Sequence, residues 1–461
     1  MLRRFACLAS CCGLCLAASP ARASGFSVAR FAGEHGHPAT DNATALYHNP
    51  AALRSERREL FVDGLIGLRR VTYTRSRHAS DAEDAPGAEG ANVGRGTLSN
   101  VLASPSFWLS LPVAESLTLA AGLFVPFGGP ISWDERESFA DSPYPGPVDG
   151  VQRFHAIEGV SITSYGSLGA SYLLGESGWR VGAAANLMYS RIEDVRAWSG
   201  GGNAVEGEGR SLLEASGFAW GFGAGVFYER PSASLSVGAP APSGSFRFGA
   251  SYQSRPNVGG GMKLGGHLTN DIGGPSSADV DLHQDLPDIV RLGIAYNPRR
   301  DVELRLSGGW ERWSAFRNQC VTQAGRACDI SDGGAQSEGG AVLQNVPREF
   351  HDAFEGRAGI SVWTTPALEL FTGIGAMSQA VPDATLEASL PDFFAVTFAL
   401  GARLRASKTL AVAASLAHMV SPARDSQSEL SSYAQPSKLP DSSGHYTQSM
   451  SYADVNLAVS F

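Results

Sequence analysis

Residues 452–461, YADVNLAVSF, decide how the rest of this sequence is read. Ala453, Val455, Leu457, Val459 and Phe461 fall on one side of an extended chain. Tyr452, Asp454, Asn456, Ala458 and Ser460 fall on the other. Side chains alternate across a strand with period two, so this segment is a strand with one apolar and one polar face. The same zigzag of about ten residues recurs. Val181, Ala183, Ala185, Leu187 and Tyr189 alternate with Arg180, Gly182, Ala184, Asn186 and Ser190. Val290, Leu292, Ile294 and Tyr296 alternate with Arg291, Gly293 and Ala295; Val396, Phe398, Leu400 and Leu404 with Thr397, Gly401 and Arg403. Phe246, Phe248 and Tyr252 oppose Arg247, Gly249 and Ser251, and Val302, Leu304, Leu306 and Trp310 oppose Glu303, Arg305, Ser307 and Glu311.

A soluble sandwich also alternates, with its polar face in water. Here the polar face is Gly, Ala or Ser broken by Arg or Glu. That composition suits the crowded polar lumen of a barrel whose apolar face meets lipid. Trp179, Tyr189, Tyr252, Tyr296, Trp310, Trp313 and Trp363 lie near strand ends, as an aromatic girdle would. The alternative is that they are core aromatics of a soluble β-protein.

Composition narrows the class. Gly supplies 54 of 461 residues, about 12% against a usual ~7%. Charged residues are 18% and hydrophobic ones 43%, which excludes a helical membrane protein and a disordered charged chain. No run of ~18 apolar residues follows the N-terminal leader. Formal net charge is −9 and becomes more negative without Arg3, Arg4 and Arg22, which argues against a nucleic-acid partner.

The N-terminus reads as an export signal. Arg3 and Arg4 precede the apolar run Phe5–Leu16, and Ala21-Arg22-Ala23 offers an A-x-A site, so cleavage after Ala23 is expected. Leu8-Ala9-Ser10-Cys11 offers a competing lipoprotein reading. Four of the six Cys leave with the signal. The other two, Cys320 and Cys328, suit a small loop-closing disulfide in an oxidising compartment better than a metal site.

Connections between zigzags alternate strictly in length. Short ones lie at 113–116, 175–178, 297–300, 364–367 and 406–408, with a longer Pro/Ser-rich one at 230–243. Long ones lie near 78–100, 127–158, 197–210, 255–286, 314–349, 379–390 and 420–446. Short turns on one side and long loops on the other are the asymmetry of an outer-membrane barrel. The reading is an all-β, transmembrane antiparallel barrel of about 14 strands, with a signal over 1–23, an N-terminal hatch over 24–58 inside the lumen, and the barrel over 59–461. Leu-Pro-Asp recurs at 286–288, 390–392 and 439–441, read as loop-to-strand entries.

Residues 24–58 do not alternate. Thr40-Asp41-Asn42 suits the start of a helical turn through Leu46, and Asn49-Pro50 signals a turn. Phe26, Val28 and Phe31 are apolar and want burial, which favours a plug over a periplasmic tail.

The sequence resembles the FadL-type family of outer-membrane transporters for long-chain fatty acids and aromatic hydrocarbons. The residues that carry the resemblance are Gly25-Phe26, Phe31-Ala32-Gly33-Glu34, Asp41-Asn42-Ala43 and the Asn49-Pro50-Ala51 that ends the family's hatch. They continue with Val125-Pro126-Phe127-Gly128 at the end of a third strand, Phe248–Ser254 on a seventh, Leu286-Pro287-Asp288 with Arg291-Leu292-Gly293 on an eighth, and Trp313-Ser314 with Phe316 above a ninth. The resemblance implies a hatch-plugged barrel of fourteen strands. It implies capture of a hydrophobic ligand inside and lateral release beside a kinked third strand. On that basis Phe26, Val28, Phe31, Leu123 and Phe127 are expected ligand contacts, and Gly122 and Pro126 lateral-gate residues. Pro126 also reads simply as a strand terminator. His35, Gly36, His37 and Pro38 interrupt the family pattern.

Other groupings point to no chemistry. His35 and His37 lack a carboxylate neighbour for metal binding. Arg180, Arg247, Arg291, Arg305 and Arg403 suit either a ligand carboxylate or lumen ion pairs with Glu303 or Glu311. No nucleophile elbow, phosphate loop or zinc signature is present. No enzyme activity, cofactor or metal is expected. The expected partners are a hydrophobic small molecule, outer-membrane lipid with lipopolysaccharide, and barrel-assembly machinery through Phe461. The expectation is passive uptake across a Gram-negative outer membrane; the alternative is a non-transporting barrel that acts as a scaffold or assembly factor through its loops.

Overall fold

The computed structural model describes residues 37–54, 56–199, 202–230, 239–271 and 274–461. The signal region and Phe26, Val28, Phe31 and His35 lie outside them.

Fourteen strands build the wall. They are β1 (Glu59–Arg75), β2 (Gly94–Pro112), β3 (Leu117–Ser132), β4 (Glu158–Leu173), β5 (Trp179–Trp198), β6 (Gly209–Arg230) and β7 (Phe246–Gln253). They continue as β8 (Ile289–Arg299), β9 (Val302–Glu311), β10 (Ala353–Thr365), β11 (Leu368–Met377), β12 (Ala395–Arg405), β13 (Leu410–Val420) and β14 (Gly444–Ser460). Each is antiparallel to the next, and β14 returns to β1 in unbroken register from Glu59 opposite Ser460 to Arg75 opposite Gly444. The sheet is therefore closed, which removes the unpaired edges that lipid does not tolerate.

The alternation read from the sequence is the alternation of the wall. On β14, Tyr452, Asp454, Asn456 and Ala458 are buried while Ala453, Val455 and Leu457 face outward. Ile66 and Leu68 on β1 and Phe218 and Trp220 on β6 continue the outer apolar band. Two girdle assignments fail. Trp313 and Trp363 are buried inside, because Trp313 sits in a loop turn folded over the lumen and Trp363 has the inward parity of β10.

At the long-loop end the sheet continues past the barrel rim. The upper part of β6, Ser211–Ser216, pairs with strand Met262–Asn270, which pairs with Ser276–Gln284. Asn318–Gln323 and Val342–Pro347 extend this flap. Cys320 and Cys328 are joined within it. The three Leu-Pro-Asp aspartates share a task. Asp288 accepts the backbone N–H of Arg255, Asp392 those of Ala380 and Val381, and Asp441 that of Ser431. Each ties a long loop to the strand it enters.

Candidate functional site

Residues 37–54 run along the inner wall. The helical turn begins at Ala45 and spans Ala45–His48, and Asn49 caps the Pro50–Ala52 turn by accepting from the Ala51 N–H. Asn49 also donates to the carbonyls of Pro38 and Val226, at 2.9 and 3.0 Å. Ser171 donates to the Ala51 carbonyl and Ser251 to that of His48.

The wall leaves room for this segment through inward glycines at successive strands. A Cβ at Gly169 on β4 would meet Leu46 Cδ1 at 2.5 Å. At Gly182, Gly225 and Gly249, on β5 to β7, it would collide with Ala51 N, Asn49 Oδ1 and Pro38 O. Backbone thus lies against backbone at Gly182 and Gly249, and the Leu46 and Asn49 side chains press on Gly169 and Gly225. Glycine is the residue that permits so close an approach.

Ion pairs complete the docking. Arg54 pairs with Glu229 at 3.0 Å and with Asp41, and Arg180 pairs with Glu56 at 3.0 Å. Burial raises the Asp41 carboxyl, but Arg54 and then Arg247 outweigh it and hold it well below the usual carboxylate range. Burial first and Arg305 second push His37 down to about 3, which keeps it neutral; Ala39 N–H donates to its Nδ1 at 3.1 Å. Arg247 pairs with Glu303 and Arg403 with Glu369, so these arginines serve ion pairs. Arg291 stacks over the Tyr47 ring at 4.7 Å.

Above this segment lies a cavity of about 240 Å³. Leu65, Leu102, Ile192, Leu213 and Met450 give its apolar walls, and Leu282, Val321 and Val346 of the flap give its roof. An aromatic chain runs from the hatch to the loops. Tyr47 packs on Phe124 at 5.0 Å, Phe124 stacks on Trp108 at 4.2 Å, and Phe127 meets Trp313 at 6.2 Å. Trp313 then meets Phe350, which meets Phe316. Three loops are stapled above. Glu387 accepts from Arg348 at 2.6 Å and lies 3.0 Å from His155 Nδ1. Burial raises the Glu387 carboxyl, yet Arg348 and His155 hold it well below the usual range.

The cavity meets an interruption in the wall. β2 and β3 pair only from Pro112 opposite Thr118 to Phe107 opposite Leu123. Above that, β3 bulges: Phe124 pairs with Tyr165 but Phe127 pairs with Thr163, one extra residue against β4. Pro126 in the bulge has no N–H to give. Gly128 follows with φ +104, and a Cβ there would collide with the Ser161 carbonyl. The two strands meet again only at the Leu98–Trp133 bridge; between, Asn100 Nδ2 reaches the Pro130 carbonyl at 2.5 Å. Leu102, Ala103 and Ser104 on one lip and Val125 and Phe127 to Ile131 on the other line the cavity.

These placements sort the expected site residues. Phe127 lines the cavity and Pro126 sits in the bulge. Leu123 does not face the cavity: it is 63% exposed on the outer wall, because the parity of β3 before the bulge turns Leu123 out and Phe124 in. Gly122 is below the interruption, paired with Trp108, and its missing Cβ makes room for that indole. Sequence reading missed Phe124, Tyr47 and Trp108. Phasing β3 on its buried Thr118 and Ala120 would have found Phe124.

A closed wall of strands with an apolar outer face, an inner segment packed against it, and a cavity that reaches an unpaired stretch of the wall define an outer-membrane β-barrel of the transport type. The sequence matches the outer membrane protein transport family (OMPP1/FadL/TodX) over residues 5–449, and the chain belongs to that family. It is an outer-membrane β-barrel of Gram-negative bacteria. The fold is similar to a Pseudomonas aeruginosa FadL homologue, with TM-score 0.72 and 15% identity over 96% of this chain and 99% of the other. It is also similar to the Ralstonia pickettii toluene transporter TbuX (0.62, 15%, 95% and 98%) and the P. putida toluene transporter TodX (0.62, 13%, 95% and 99%). At these identities the likeness speaks for the fold. No curated protein matches the sequence.

Proposed function

We propose that this barrel takes up hydrophobic small molecules, long-chain fatty acids or aromatic hydrocarbons, without an energy source. The ligand rests in the cavity under the loops and leaves sideways into the membrane through the β2–β3 seam. One observation carries the reading: the wall loses its pairing at the same height at which the apolar cavity reaches it. Unpaired backbone facing lipid is costly and occurs where it lines a cavity, so the seam needs the cavity behind it. The docking of residues 37–54 on wall backbone supports a hatch that stays in place while ligand passes above it. A scaffold would have no need of an open cavity at a seam.

The test is uptake of labelled fatty acid and a labelled monoaromatic into liposomes by wild type and Gly129→Leu. A Cβ at Gly129 would lie 2.7 Å from Leu102 Cδ2 across the seam, so leucine refills it. Uptake should fall at least ~10-fold with an unchanged barrel, taking one decade per ~1.4 kcal/mol of added barrier. Equal uptake by both proteins rejects the lateral route.

A further inference from the structure

The outer wall is charged unevenly above its apolar band. On β1 the outward residues, read from the short-turn end, are Leu60, Val62, Gly64, Ile66 and Leu68, and the next is Arg70. From Leu60 to Leu68, at ~3.3 Å per residue and a tilt of ~40°, the strand climbs roughly 20 Å. The apolar band of such barrels is ~25 Å tall and their long loops face the cell exterior. Arg70 therefore stands where the hydrocarbon of the outer leaflet gives way to headgroups. The neighbouring strands change at the same row. Val101 on β2 is exposed opposite Leu68, and Ser99 on β2 and Ser449 on β14 are exposed opposite Arg70.

A second guanidinium converges on this row. Arg95, near the top of β2, is exposed and donates from Nη2 to Thr72 Oγ1 at 3.5 Å. Thr72 is the next outward residue above Arg70 on β1, ~7 Å along the strand. Both guanidiniums thus border one hydroxyl. Among the described residues neither arginine has a carboxylate partner. Upper β5 and β6 differ: Arg191 pairs with Glu193 and Arg210 with Asp149, and Glu193 stands opposite Glu214. Two neighbouring cations without counter-ions, at the edge of an apolar surface and ringed by hydroxyls, match an anion of several oxygens that carries hydrocarbon. Guanidinium forks fit phosphate oxygens in this way. The outer leaflet of this membrane offers that chemistry in the phosphorylated glucosamine head of lipopolysaccharide.

We propose that the upper outer face of β1 and β2 is a binding site for lipopolysaccharide. Arg70 and Arg95 hold one glucosamine phosphate over Thr72, Ser99 and Ser449 meet the sugar, and acyl chains lie on Leu68 and Val101. Val101 is two residues before Ala103 on the lip of the β2–β3 seam, so the bound glycolipid stands beside the unpaired stretch of wall. The site is on the outside of the barrel, and its failure leaves the uptake reading intact.

The experiment is native mass spectrometry of the purified full chain in neutral detergent, with EDTA to remove divalent ions that could bridge phosphate to carboxylates. The probes are bis-phosphorylated lipid A, the same lipid A without its phosphates, and dioleoylphosphatidylglycerol. Wild type should bind one lipid A at least ~10-fold more tightly than either other lipid, the range expected for charge-assisted hydrogen bonds. Arg70→Gln combined with Arg95→Gln should weaken lipid A by at least ~10-fold and leave the dephosphorylated form unchanged, while Arg191→Gln on β5 should bind as wild type does. Should the double variant not fold, wild type decides alone through its dependence on phosphate. Equal binding of lipid A with and without phosphate overturns the proposal, as does a double variant that keeps the preference. Phosphatidylglycerol held as tightly as lipid A also overturns it and leaves only a general attraction for anionic lipid.

Discussion

Between β5 and β6 every residue from Trp179 to Trp198 has a partner, ending with Trp198 opposite Gly209. Between β2 and β3 the ladder stops at Phe107 opposite Leu123, although both strands run on. Both pairs are rich in small residues, so glycine alone does not open a wall. β6 carries Gly217, Gly221, Gly223 and Gly225 in sequence and remains fully paired, with its glycines used to admit the luminal segment or neighbouring side chains. β3 differs in having Pro126 and Pro130 and an extra residue at the bulge. Proline removes donors and the bulge turns the strand away, and both act on the ladder itself. One side of the barrel is thus packed against residues 37–54, and on the other the ladder stops where the cavity reaches the wall.

Five substitutions and a change of pH would break or sharpen this contrast. Phe124→Ala removes the ring that joins Tyr47, Trp108 and Tyr165 beneath the seam. It should destabilise by about 3–5 kcal/mol, read as a lower urea midpoint. A smaller loss would show that the hatch does not brace the seam. Gly249→Val on the docking side should cost about 1–3 kcal/mol by overpacking against Pro38. Gly166→Ala, whose Cβ meets only Leu123 Cδ2 at 3.6 Å on the outer face, should stay within about 0.5 kcal/mol. Matching effects would mean the glycine track is incidental.

Acid should loosen the docked side next. The folded His37 pKa is about 3 against ~6.5 for the free side chain, so the unfolded segment binds the extra proton. Docking therefore weakens as pH falls from about 6.5 toward 3, and Asp41 adds a further loss below ~4, where the undocked carboxyl takes up a proton that the docked one, held low by Arg54, does not. Hydrogen exchange of residues 37–54 at pH 7 and pH 5 checks this, and His37→Gln should flatten the upper part of the dependence. Pro126→Ala should cost under about 1 kcal/mol, with uptake retained, because Gly128 and the register shift keep β3 bent. A seam that zips shut in that variant, seen as new slow-exchanging amides at 124–131, would place the cause in proline alone.

Much of this was legible in the sequence because a barrel repeats one rule. Lipid outside and polar lumen inside impose period two on every strand, so YADVNLAVSF already states which side of β14 faces which medium. The short and long connections followed from the same count. Inward Arg247 and Arg403 were legible as ion pairs because buried charges need partners, and Glu303 and Glu369 supply them. Phase was harder to read than period. Leu123 and Phe124 differ by one position, and only the β2 register shows which is inside. Arg69 and Arg70 look alike as a pair, yet β1 parity buries the first and exposes the second.

The amino-acid order by itself determined the class of structure: alternating faces and loop asymmetry admit a closed lipid-spanning barrel and little else. Tertiary structure alone decided where residues 37–54 dock, where the β2–β3 ladder stops, and which side chains line the cavity. Those depend on residues hundreds of positions apart, such as Arg69 with Pro391 and Asn49 with Val226, and local periodicity holds no information about such pairs.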